Sequence, residues 1–64
     1  MLMIRIGMMV RIIYPEYARG MEGRIEAKEN GGRWLVRLEQ NPINHQPESI
    51  VLSLDESDLE VMEQ

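Results

Sequence analysis

From position 4 to position 12 the chain alternates. Ile4, Ile6, Met8, Val10 and Ile12 take the even positions, with Arg5, Gly7, Met9 and Arg11 between them. A period of two marks a strand that buries one face, and β-branched Val10, Ile12 and Ile13 suit a pleated surface. Tyr14-Pro15 ends the run, because proline has no N–H to give a ladder. A loop over 16–22 follows. Gly23 then opens a second strand, at a point where the backbone needs either a positive φ or close approach to a neighbour. The second strand is predicted over 24–29 and the third over 33–40, joined by a glycine hairpin at Asn30-Gly31-Gly32. A polar loop over 41–48, punctuated by Pro42 and Pro47, leads to a fourth strand at 50–54. Residues 55–58 make a single helical turn with Asp55 as its cap, and 59–62 close the chain as a fifth strand. Short strands at this spacing predict an all-β fold: an SH3-like barrel of about five antiparallel strands, with one helical turn before the last.

Charge argues for the register of the glycine hairpin. A turn at Asn30-Gly31 would set Arg24 against Arg37 and Lys28 against Arg33, two repulsive pairs. A turn at Gly31-Gly32 pairs Arg24 with Glu39 and Glu26 with Arg37, both attractive. Either register keeps Ile25 and Ala27 on the face of Trp34, Val36 and Leu38, whereas a slip of one residue would separate those sets. The Gly31-Gly32 turn is therefore expected, although Asn-Gly is the stronger local hairpin signal.

With 64 residues the chain makes one domain, and its core is necessarily small. There is no cysteine and a single histidine, His45, so disulfides and Cys- or His-rich metal sites are not expected. No cofactor is expected either. The apolar stretches are broken by Arg5 and Arg11 and fall short of the roughly 20 residues a bilayer span needs. The apolar beginning has no basic leader and no small-residue cleavage site, so no secretory signal is expected and the chain is placed in the cytoplasm. Met1, Met3, Met8 and Met9 could each be a start, which would make residues 1–6 a dispensable or extended N-terminal segment. Net charge is −4, but all seven bases lie within the first 37 positions, where the balance is +3. Residues 38–64 carry seven acids and no base. The chain is bipolar.

Gly7-x-x-Val10-Arg11-Ile12 followed by Gly20-x-x-Gly23-x-Ile25 resembles the KOW motif of ribosomal and transcription-elongation proteins. Tyr14-Pro15 stands where such motifs often carry a glycine. Over residues 7–62 the pattern is also similar to small SH3-like accessory proteins of cyanobacteria, with Trp34-x-Val36-x-Leu38 and Leu54-Asp55-x-x-Asp58-Leu59-Glu60 carrying the likeness. That second resemblance implies an accessory subunit or adaptor of a larger, photosynthetic complex. The KOW resemblance implies an RNA- or ribosome-associated module.

The residues offer a partner-binding surface and no catalytic set. Tyr14 and Tyr17 flank Pro15 in the loop that borders the ligand groove of SH3-like barrels, where rings receive extended peptides; the alternative is that they cover the barrel end. Arg11, Arg19, Arg24 and Arg37 either form a cationic face, for which the planar guanidinium is suited, or pair with Glu22, Glu26 and Glu39. Trp34 is either a core aromatic or a stacking platform. Ile13, Leu35 and Val51 fall on outward positions and would mark a contact surface if clustered. His45 has no serine–acid partner in evident register and no second metal ligand nearby. Asp55, Glu56, Asp58 and Glu60 lack the spacing and glycine of a calcium loop. The expected function is a non-catalytic adaptor, monomeric or weakly self-associating, that binds a protein through Ile13 and Leu35 with the arginines. RNA binding is the alternative, and a chain of pI near 4.8 disfavours it because phosphate neutralisation supplies most such affinity.

Overall fold

Apolar residues at every second position give each strand one buried row. Among the described residues no helix is long enough to cover those rows, because the helical turns at Glu16–Ala18, Asn30–Gly32 and Glu56–Asp58 have three residues each. The computed structural model describes residues 4–62. Its strands are β1 (Met9–Ile12), β2 (Glu22–Lys28), β3 (Arg33–Gln40), β4 (Pro47–Asp55) and β5 (Leu59–Val61). They form one antiparallel sheet in the order β4-β3-β2-β1-β5, as the all-β reading anticipates, with the helical turn placed before the last strand. Among the described residues there is no second sheet, and the core lies on the apolar face of this one. Val10, Ile12, Ile25, Val36 and Leu38 are fully buried there, joined by Ala18, Trp34, Leu54 and Leu59. Burial of each large aliphatic side chain stabilises by about 1.5–3 kcal/mol against full exposure.

The first strand is shorter than its alternation predicts. Met8 N–H donates to the Arg5 carbonyl at 3.1 Å and Gly7 has φ of 97°, so the chain reverses before β1 and leaves Ile6 exposed. The expectation of a dispensable or extended segment over 1–6 falls in part on residues 1–3, outside the described ones. β4 extends beyond the predicted 50–54 at both ends.

The β2–β3 hairpin departs from the expected register. Gly31 and Gly32 both have positive φ, 76° and 78°, and Glu29 N–H donates to the Arg33 carbonyl at 2.8 Å. The connection therefore takes three residues, Asn30–Gly32. That places Ala27 opposite Leu35 and Lys28 opposite Trp34, the one-residue slip that burial seemed to forbid. Glu26 then bulges out as an extra residue, and beyond it Ile25 faces Val36 and Gly23 faces Leu38. A bulge is how a strand recovers its apolar phase after such a slip. Arg24 consequently lies opposite Arg37 and not Glu39. Repulsion is relieved locally: Arg37 Nη2 reaches Glu26 Oε1 at 2.7 Å, while Arg24 Nη1 donates to the Gly7 carbonyl at 2.8 Å.

Gly23 is the tightest point of the sheet. Its φ is not in the left-handed region, so of the two reasons for a glycine there, close approach is the operative one. A Cβ at this position would lie 2.7 Å from Val36 Cγ1, 2.8 Å from Leu38 Cδ2 and 2.9 Å from the Arg37 carbonyl.

Asp55 caps the last helical turn as expected. Its Oδ2 accepts from Ser57 N–H at 3.0 Å and from the Ser57 hydroxyl at 2.8 Å. The backbone N–H of Ser57, its hydroxyl and the nearby Arg33 charge hold the Asp55 carboxyl below its ordinary value of 3.8. A depressed folded-state pKa contributes stability that is present above the unfolded value and lost as pH falls through the folded one. Melting temperature is therefore expected to fall as acid is added below pH 3.8. Asp55→Asn keeps an acceptor but removes the titration, so its melting curve should depend less on pH in that window. Equal slopes for the two proteins in thermal melts would show that the cap does not contribute.

Candidate functional site

The loop between β1 and β2 is fixed at three places, which is unusual for a segment that also displays large apolar side chains. Gly20, with φ of 88°, turns the chain so that its N–H meets the Ile12 carbonyl at 2.8 Å. Ala18 N–H donates to the Pro15 carbonyl at 3.0 Å, and the Ala18 methyl is fully buried beneath the loop. Ile13 N–H donates to the Asp58 carbonyl at 2.8 Å, tying the loop to the turn before β5. The Tyr14–Pro15 peptide bond is cis. On this anchored frame Ile13, Tyr14 and Tyr17 are 46%, 61% and 54% exposed. The rings therefore do not cover the core.

Two hollows border this loop. One, of about 290 Å³, is lined by Ile4, Ile13, Leu59 and Val61, with Glu56 and Glu60 at its rim. The other, about 490 Å³, is lined by Arg19, Gly20, Met21, Glu22, Glu39, Gln40 and His45. His45 sits in the left-handed region at φ of 60°, held by its N–H to the Asn41 carbonyl and its carbonyl from Gln40 Nε2. No serine, threonine or cysteine lines that hollow. Among the described residues, no three His, Asp or Glu side chains come together as a metal site.

The expected arginine face is largely neutralised. Arg11 lies between Glu22 at 3.7 Å and Glu60 at 3.4 Å, one on each neighbouring strand. Arg19 pairs with Glu16 at 3.5 Å, and Arg37 is bound by Glu26 and the Ser49 hydroxyl. Of the four arginines, only Arg24 has no carboxylate partner among the described residues. Exposed pairs of this kind contribute little stability, but they lower the positive potential an incoming phosphate would meet.

The outward apolar residues do not form one patch. Leu35 pairs with Ser53 and Val51 with Arg37, so these two neighbour each other across β3 and β4. Ile13 stands two strands away, at the opposite end of the sheet, just past the Ile12–Met21 level. Trp34 is 7% exposed and belongs to the core. Lys28 Nζ lies 5.6 Å from its ring centroid. Alternation along the chain could not show that Ile4, Leu59 and Val61 share a hollow with Ile13, because the reversal at 5–8 and the pairing of β5 with β1 are non-local. Comparison with protein-family models, characterised proteins and solved structures finds no match.

Proposed function

We propose that this chain is a non-catalytic adaptor or accessory domain of SH3-like architecture that binds a protein through the β1–β2 loop. The observation that carries this reading is a contrast between two sets of exposed side chains. Arg11, Arg19 and Arg37 are each paired with a carboxylate, while Ile13, Tyr14 and Tyr17 are exposed on a backbone held by hydrogen bonds. A fixed loop presents these side chains with little ordering cost, and tyrosines on such a frame are typical anchors of protein contacts. The anchor group thus moves from Leu35 to the Ile13–Tyr14–Tyr17 loop, with Arg11 and Arg19 at its rim. That the partner is a photosynthetic complex rests on the cyanobacterial resemblance alone. A KOW-type RNA module is the second reading, favoured by Arg24, which lacks a carboxylate partner among the described residues.

Capture from native lysate on immobilised protein, with and without nuclease, separates the two readings. The adaptor should retain a protein after nuclease treatment. Tyr14→Ser with Tyr17→Ser should abolish that capture, whereas Arg24→Glu should leave it intact. Binding of mixed single-stranded RNA, followed by fluorescence anisotropy, should be undetectable at physiological salt. Micromolar RNA affinity that falls steeply with salt and is lost in Arg24→Glu would establish the RNA reading instead.

A further inference from the structure

The two edges of the sheet are built differently. β5 is three residues long, and brevity is one way a sheet protects its edge. β4 runs for nine residues, carries no lysine or arginine, and has its one proline, Pro47, at its start. Hydrogen bonds between the interior strands fix which of its backbone groups are free. Glu29 N–H bonds to Arg33 and Ile25 N–H to Met8. By antiparallel alternation, Arg33, Leu35 and Arg37 therefore direct their N–H and C=O toward β2, while Trp34, Val36 and Leu38 direct theirs toward β4. Their partners are Leu54, Leu52 and Ile50. Ser49, Val51 and Ser53 are left with backbone groups aimed away from the sheet.

The side chains repeat that asymmetry. On β3 the inward row of Trp34, Val36 and Leu38 is buried, but on β4 Ile50 and Leu52 are only half-buried and Val51 is 38% exposed. Leu54 of that row is buried, but among the described residues no strand lies beyond Ile50 and Leu52 on this edge.

We infer that β4 pairs with β4 of a second copy of this chain, antiparallel about a two-fold axis through Val51. In that register Val51 faces Val51 of the other copy, and Ser49 faces Ser53 in both directions. All three pairs join residues whose free groups point outward, so each can exchange two N–H···O bonds. Ile50 comes opposite Leu52, which completes the half-buried row of each molecule. Glu48 comes opposite Leu54, and Asp55 opposite Pro47, so no like charges meet. A register shifted by one residue would set outward groups against inward ones. A shift by two loses the Val51 pair from the axis. One existing contact trims the edge: Arg33 Nη2 donates to the Ser53 carbonyl at 2.7 Å, which leaves that oxygen a second lone pair. Net charge of −4 on each copy opposes association, so the dimer is weak and concentration-dependent.

Sedimentation of the full chain from about 10 μM to about 1 mM, a span that covers weak complexes, tests the pairing. The wild-type protein should pass from monomer to dimer. Val51→Lys and Val51→Glu should each remain monomeric with an unchanged circular dichroism spectrum, since like charges would meet on the axis. Their equimolar mixture should regain the dimer. Ser49→Pro, which removes an outward N–H without touching the β3 ladder, should raise the dissociation constant at least tenfold. A wild-type chain that stays monomeric throughout overturns the inference. A dimer that persists in Val51→Lys and in Ser49→Pro does so as well.

Discussion

Gly23→Val is expected to abolish cooperative folding, and Gly23→Ala to lower stability by about 1–3 kcal/mol, the usual range for overpacking a close-packed core. The cause is space. A Cβ here meets two fully buried side chains and a backbone carbonyl, all inside 3.0 Å. The carbonyl of Arg37 cannot retreat without disturbing the β2–β3 ladder. Valine adds two methyls to the same gap, so its cost exceeds that of alanine. A domain of this size has only a few kcal/mol of stability to lose.

The cause can be separated from backbone strain. Val36→Ala removes Cγ1, the nearest of the three atoms. Gly23→Ala should therefore cost less in a Val36→Ala background than in the wild type, a coupling that denaturant titration of the four proteins would resolve. Additive costs would mean that Val36 is not the obstacle. At Gly7, Gly20, Gly31 and Gly32 a Cβ meets nothing within 4 Å, and those positions depend on positive φ alone.

The contrast between Gly23 and the other glycines shows what one sequence can convey. Alternation located all five strands, and the cap at Asp55 was legible because it depends on a neighbour two residues away. Glycine at position 23 signalled a constraint but not its kind, since positive φ and close approach leave the same mark. Charge complementarity correctly joined Glu26 to Arg37, yet it named the wrong register, because a bulge can deliver a carboxylate to its partner while the ladder stays out of step. Position 26 carries no local signal of that bulge; it is set by the three-residue turn and the need to bring Ile25 back over the core. The candidate site was legible to the same degree. Tyr14 and Tyr17 were found as loop aromatics, but the separation of Ile13 from Leu35 follows from strand order, which charge and alternation leave open.

Trp34→Ala is expected to cost about 3–5 kcal/mol, the range for truncating a buried aromatic, and so to unfold most of the population at room temperature. Trp34 is buried among the core residues, and its loss would open a cavity in a small core with few neighbours to fill it. Trp34→Phe should cost far less than truncation. Among the described residues the buried indole Nε1 has no hydrogen-bond partner, and an unsatisfied buried donor costs about 1–3 kcal/mol. Phenylalanine removes that donor along with some volume, so the two changes oppose each other. Thermal melts of the three proteins give the order directly. The same series decides whether position 34 serves the core or a ligand. If the ring were a stacking platform, Trp34→Ala would melt like the wild type and lose binding instead. A folded Trp34→Ala would therefore remove Trp34 from the core, while an unfolded one beside a stable Trp34→Phe would show that the indole is there to fill space.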